Sequence, residues 1–195
     1  MKAVNTPSNV LAISGSLRRG SFNTRLLDEA AKLAPELLQV DIYEQLGRLP
    51  HFNEDHETPA PPEVEQLRRQ VREADGLLIA TPEYNASIPG VLKNALDWLS
   101  RPVDGQTPPL NGKPVAIIGA SMSSLGTVRA QLGLRQILHK LDAAVVRHPE
   151  FILGAAHTQL DEHSDGLSTP TAEVLRQVLE QLHALIGRES HVPIT

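Results

Sequence analysis

Short apolar runs alternate along this chain with stretches whose apolar residues recur every three or four positions. Val10–Ser14, Gly76–Ala80, Val115–Ala120 and Ala143–Val146 are near-continuous apolar runs, the pattern of strands buried on both faces. Leu38–Ile42 differs, because Leu38, Val40 and Ile42 alternate with polar residues. That predicts an edge strand with one solvated side. Between the strands, Phe22–Leu33, Glu63–Glu73, Val91–Leu99 and Val128–Leu141 carry helical spacing. A last helix is predicted over Thr171–Ile186, burying Val174, Leu175, Val178, Leu179, Leu182 and Ile186. Strict β-α alternation predicts an α/β fold, a doubly wound five-stranded parallel sheet with helices on both faces. The strand order 2-1-3-4-5 fits five strands in this length.

Two polar segments interrupt the pattern. Gly47–Pro62 holds Pro50, Pro59, Pro61 and Pro62, and Pro149–Pro170 is rich in His and acids. Neither is long enough to link domains, and no internal repeat is visible, so residues 1–195 are expected to form a single domain. At 41% hydrophobic and 21% charged residues, the composition is that of a globular chain. The absence of Cys removes disulfides, thiolate chemistry and Cys-ligated metal centres. Met1 to Asn9 carry one Lys with no long apolar stretch behind it, so no signal peptide is expected. No run approaches the ~18 apolar residues of a membrane span. The cytoplasm is therefore the expected compartment. The net charge of −5, with no basic stripe, makes nucleic acid an unexpected partner.

The first strand runs into Ser14-Gly15-Ser16-Leu17-Arg18-Arg19-Gly20-Ser21-Phe22-Asn23-Thr24, which opens an amphipathic helix. A strand-to-helix turn rich in Gly and hydroxyls points backbone N–H groups and a positive helix end at one spot, which suits a phosphate. Arg18 and Arg19 can add charge; Ser16, Ser21, Asn23 and Thr24 can add hydrogen bonds. The plainer reading is a capped turn with Ser21 or Asn23 as N-cap. Other phosphate binders are excluded by spacing: there is no G-x-x-x-x-G-K-[ST], and no G-x-G-x-x-G after the first strand.

Thr81-Pro82-Glu83-Tyr84-Asn85-Ala86-Ser87-Ile88-Pro89-Gly90 follows the third strand. In the order 2-1-3-4-5 the sheet reverses direction between strands one and three, so this loop and the phosphate turn should face one crevice. Tyr84 offers an apolar plane, and nearby backbone groups can read the edge of a flat heterocycle. A rigid Pro-bounded turn with Tyr84 packed locally is the alternative.

The two loops together, G-S-L-R-x-x-S-x-N and T-P-E-Y-N-x-S-I-P-G followed by L-K-N-A-L-D-W, resemble the NADPH-dependent FMN reductases, and among them the quinone and chromate reductases. The resemblance spans residues 10 to about 146. It implies a flavodoxin-like fold, bound FMN, NADPH or NADH as donor, small-molecule electron acceptors, and homodimers pairing into homotetramers. By that match Ser16, Arg18, Ser21, Asn23 and Thr24 would hold the FMN phosphate. Pro82, Glu83, Tyr84 and Asn85 would line the isoalloxazine ring. The family's Gly-rich loop after the fourth strand is replaced here by Ala120-Ser121-Met122-Ser123-Ser124-Leu125-Gly126-Thr127, after which Arg129, Ala130 and Gln131 match again. Ser121 and its loop are expected to wall the far side of the flavin.

No side chain is expected to act as an obligate acid or base; the cofactor carries the chemistry. Backbone N–H groups of Glu83 to Asn85 are expected to stabilise charge on the reduced ring. His51, Asp55, His56 and Glu57, like His157, Asp161, Glu162, His163 and Asp165, lack metal-binding spacing and read as solvated loops. Without a G-x-S-x-G elbow, Ser14, Ser16 and Asp97 do not form a hydrolase triad. Trp98, beside Leu96 and Leu99, reads as core or subunit interface rather than a cofactor contact; as it extends the apolar face of its helix beyond Ile88, Leu92, Ala95, Leu96 and Leu99, a homo-oligomer built partly on Val91–Arg101 is expected. Two other functions remain open: a flavodoxin-type electron carrier, and a reductase that releases reduced FMN.

Overall fold

The computed structural model describes residues 7–103, 105–160 and 166–189. Its central strands are β1 (Ser8–Ser14), β3 (Gly76–Ala80) and β4 (Pro114–Ala120), and every residue of β3 and β4 is buried. β2 (Leu38–Tyr43) is the edge strand, with burial alternating along it as the sequence predicts. β5 (Ala144–Val145) and β6 (Phe151–Leu153) lie on the other side of β4. All pairings are parallel, in the order β2-β1-β3-β4-β5.

The fifth position is divided. β5 pairs with Pro114 and Val115 at the start of β4, and β6 pairs with Ile118 to Ala120 at its end. The ladder breaks at Arg147-His148-Pro149-Glu150, where proline has no N–H to donate. β6 lies inside the polar segment 149–170, where the sequence pattern predicts no strand. Its signal is three residues long, Phe151-Ile152-Leu153, hidden between Glu150 and Gly154.

Alternate side chains of each strand feed two cores. On one face Val10, Ala12, Leu78, Ala116 and Ile118 meet α1 (Phe22–Leu33) and α5 (Thr169–Glu189). On the other, Leu11, Ile13, Leu77, Ile79 and Ile117 meet α2 (Pro62–Glu73), α3 (Gly90–Leu99) and α4 (Val128–Lys140). Such burial is worth roughly 1.5–3 kcal/mol per large aliphatic side chain. It therefore fixes the register that brings the ends of β1, β3 and β4 together.

Trp98 belongs to the core. It is fully buried, and its Nε1–H donates to the Pro50 carbonyl at 2.9 Å. The Phe52 ring meets it edge-on at 4.9 Å. One turn earlier on α3, Asn94 donates to the same carbonyl at 2.9 Å and accepts from the Phe52 N–H at 2.7 Å. The buried Arg68 guanidinium lies 5.8 Å from the indole and donates to the Trp98 carbonyl. The Gly47–Pro62 segment thus covers the apolar surface that periodicity left open. A proline-rich polar stretch gives no periodic signal, although its backbone is what the indole needs.

Candidate functional site

Three loops leave the carboxyl ends of β1, β3 and β4, and hydrogen bonds lace them together. The Gly15 N–H donates to the Ala80 carbonyl at 2.8 Å, and Thr81 N–H to the Ile118 carbonyl at 3.0 Å. Gly15 sits where a Cβ would lie 3.2 Å from Leu92 and 3.3 Å from Pro82, so the first loop passes tightly over the second.

In the first loop, Ser21 is the N-cap of α1. Its hydroxyl accepts from the N–H groups of Asn23 and Thr24 at 3.2 and 3.3 Å. No acid stands in the first turn of α1, so no carboxylate offsets the positive helix end. Ser16 Oγ accepts from the Arg18 N–H at 3.3 Å, and Thr24 Oγ1 lies 2.9 Å from Ser14 Oγ. Exposed Arg18 lies over the Phe22 ring at 5.2 Å, which keeps its charge beside the helix start. Ser14, Ser16, Arg18, Thr24, Tyr43 and Leu46 are among the walls of an adjoining cavity of about 350 Å³.

Asn23 points elsewhere. Its Nδ2 donates to the Ala120 carbonyl, and its Oδ1 accepts from the Ala120 N–H, both at 3.0 Å. The residue is 3% exposed. Both amide atoms are engaged, so the side chain joins α1 to the end of β4.

In the second loop, Tyr84 and Ser87 exchange two backbone hydrogen bonds of 3.0 Å around Asn85 and Ala86. Both central residues have positive φ, 51° and 62°, the signature of a type I′ turn. The Tyr84 N–H is thus engaged within the turn, so of the three amides expected to face the ring this one does not. The Tyr84 side chain is half-exposed beside the crevice and Pro82 is buried beneath it.

The Glu83 carboxylate turns away to α4. It accepts from the N–H groups of Arg129 (2.9 Å) and Ala130 (3.1 Å) and from Arg129 Nε (2.6 Å), and it pairs with Arg129 Nη2. Burial pushes its carboxyl up, but the bonds from Ala130 and Arg129, with the Arg129 charge, outweigh burial and hold it below the ordinary value. Sequence spacing could not pair residues 83 and 129; an acid-free first turn in α4 is the one trace it left.

The third loop is pinned to the chain beyond β6. Ser121 N–H donates to the Leu153 carbonyl at 3.0 Å and Ala156 N–H to the Ser121 carbonyl at 2.9 Å, while Ser121 Oγ accepts from Ser123 N–H at 3.2 Å. Met122 and Leu125 project into solvent. Below them Gly119 admits no Cβ, which would come within 2.6 Å of the Thr81 carbonyl. Gln131 is buried there and donates to Thr127 Oγ1 and to the Phe151 carbonyl.

The structure thus brings Ser16, Arg18, Ser21 and Thr24 to one turn, with Pro82 against Gly15 and Tyr84, Asn85 and Ser121 on the two neighbouring strand-end loops, while the Glu83 carboxylate faces α4. Among the described residues, no cluster of three His, Asp or Glu side chains could hold a metal. Glu57 pairs with Arg101 at 2.5 Å, and Asp161, Glu162, His163 and Asp165 lie outside the described residues. The donor set suits a flavin mononucleotide. One acid-free helix start with hydroxyls and a cation fits a single phosphate, and a rigid turn with a half-exposed Tyr fits the edge of a planar ring.

Comparison with known proteins agrees. Residues 8–158 match the family described as NADPH-dependent FMN reductase. An NAD(P)H-dependent FMN reductase of Pseudomonas aeruginosa is 44% identical over 180 residues, covering 92% of this chain and 95% of the relative. A quinone reductase of Escherichia coli is 46% identical over 154 residues, covering 78% and 80%. Among solved structures, the flavoenzyme NAD(P)H:(acceptor) oxidoreductase FerB of Paracoccus denitrificans superposes with a TM-score of 0.83 at 34% identity, covering 93% of this chain and 98% of that one.

Proposed function

The chain belongs to the NADPH-dependent FMN reductase family, and from that premise we infer that it is an NAD(P)H-dependent, FMN-containing oxidoreductase that reduces quinones and similar small acceptors. The observation that carries the site assignment is the convergence of an acid-free, cation-flanked helix start with a rigid aromatic turn at the carboxyl ends of β1 and β3.

The phosphate would be held at the positive start of α1 by the hydroxyls of Ser16, Ser21 and Thr24 and by Arg18. Asn23 serves that turn by fixing α1 to Ala120. Pro82, Tyr84, Asn85 and Ser121 would flank the ring, with Glu83 behind them. When bound, FMN accepts two electrons as hydride from the nicotinamide and passes them to the acceptor. The chain's own part is to bind and orient. Gly15 and Gly119 allow close backbone packing beneath the ring loops, and the Tyr84–Ser87 turn presents a pre-organised edge. No ionisable side chain is needed to move a proton at the ring.

Assembly into homodimers or homotetramers is part of this proposal. Its support is the exposed pair Val128 and Leu132, four residues apart on one face of α4, with exposed Leu125 in the loop before it. No described helix is long and apolar enough to cross a membrane. The cytoplasm, where NAD(P)H is supplied, is the proposed compartment.

The test is anaerobic. FMN-loaded protein should bleach on addition of NADPH, and acid extraction should return FMN. Recovery of FAD would overturn the cofactor assignment. A yellow protein that NADPH does not bleach would be an electron carrier instead.

A further inference from the structure

We propose that Glu83 is a positioning residue: it caps α4 from outside the helix and thereby fixes the ring loop in its working shape. The proposal rests on the flavin reading of the crevice.

α4 lacks a cap of its own. Thr127 occupies the cap position but makes no capping bond, and its hydroxyl accepts from Gln131 instead. Left so, the first N–H groups of α4 would need another partner. Glu83 supplies it from a strand-end loop 46 residues upstream, taking the N–H groups of Arg129 and Ala130. Arg129 folds back over the same carboxylate, its side chain 58% exposed and that of Glu83 6% exposed. A buried carboxylate with two backbone donors, a guanidinium and a helix dipole is held in one place.

What it holds matters for the crevice. Glu83 lies between Pro82, buried under the loop, and the strained Tyr84–Ser87 turn. Ala86 is kept at a φ of 62° there, a conformation that persists only where the surroundings over-determine it. On the inner side the loop is fixed by Thr81 N–H to Ile118. On the outer side the α4 latch is the anchor formed by a side chain of the loop itself. Releasing it would let residues 83–86 relax away from the ring while leaving the sheet intact.

Four proteins decide the matter: wild type, Glu83→Gln, Arg129→Ala and the double variant. Gln keeps an acceptor oxygen but loses the charge; Ala at 129 removes the guanidinium and keeps the N–H bonds. Each apoprotein is titrated with FMN by fluorescence quenching, and the visible absorption and circular dichroism of the bound flavin are recorded. Glu83→Gln should weaken FMN binding about tenfold, the worth of one charge-assisted bond, and shift the flavin bands. Arg129→Ala should do the same more weakly, and the double variant should be no worse than Glu83→Gln alone. A lowered melting temperature with unchanged FMN affinity and unchanged bands would reduce Glu83 to a helix cap and overturn the proposal. If Glu83→Gln does not fold, Arg129→Ala carries the decision by the same two readouts. Wild-type apoprotein that fails to bind FMN would overturn the flavin reading as well; wild-type binding with unaltered variants overturns this proposal alone.

Discussion

Replacing Asn23 by Ala separates two roles that one sequence motif leaves superimposed. Asn23 makes two hydrogen bonds of 3.0 Å to Ala120, which is 1% exposed. Alanine there would remove both bonds and strand a buried N–H and a buried carbonyl. At roughly 0.5–1.5 kcal/mol net per bond, plus the desolvation of stranded groups, the loss should be about 2–4 kcal/mol. For a domain of this size that corresponds to a fall in Tm of about 5–15 °C. The measurement is thermal unfolding of the FMN-free protein, where a phosphate contact contributes nothing. Asn23→Asp adds a pH signature. A carboxylate would face the Ala120 carbonyl, so its folded pKa should lie above the unfolded value of about 3.9. The protonated form both donates and accepts, like the amide. The stability it restores is therefore present below the unfolded pKa and lost as pH rises through the folded one. An apoprotein whose Tm is unmoved by Asn23→Ala, with FMN affinity reduced, would refute the reasoning and return the side chain to the phosphate.

Three further outcomes follow from single contacts. Arg18→Ala should weaken FMN binding about ten- to a hundredfold by loss of a charge-assisted contact; unchanged affinity by titration would assign the phosphate to Arg19 or backbone groups. Ala86→Gly should raise chemical-denaturation stability by up to about 1 kcal/mol, because glycine accepts the φ of 62° that alanine adopts under strain; destabilisation would mean the turn is not strained. Trp98→Phe should cost about 1–3 kcal/mol through the lost bond to the Pro50 carbonyl, with no change in mass by light scattering; a change in oligomeric state would restore Trp98 to an interface.

The sheet and helices were legible because each strand buries a continuous run and each helix a periodic face. Gly76–Ala80 and Phe22–Leu33 coincide with β3 and α1 residue for residue. β6 was not legible, since three apolar residues within a His- and acid-rich stretch carry no period. The capped turn after β1 was legible from Ser16, Arg18 and Ser21, because local chain chemistry forms it. The destinations of Asn23 and Glu83 were not. Both are short-range motif members whose partners, Ala120 and Arg129, lie 97 and 46 residues away, and only the strand order brings them together. The choice between core and interface for Trp98 was open for a related reason: its cover is a loop without periodicity.

The central claim is that the crevice holds one FMN through many turnovers and offers its free face to nicotinamide and to small planar acceptors in turn. The most direct test is kcat/KM for a benzoquinone against free FMN, at saturating NADPH, with the FMN-loaded protein. The quinone should be the better acceptor, because the sequence shows no second Gly/Ser/Arg phosphate turn to anchor another FMN. If free FMN is reduced more efficiently, the chain is a flavin-releasing reductase and the quinone assignment is wrong.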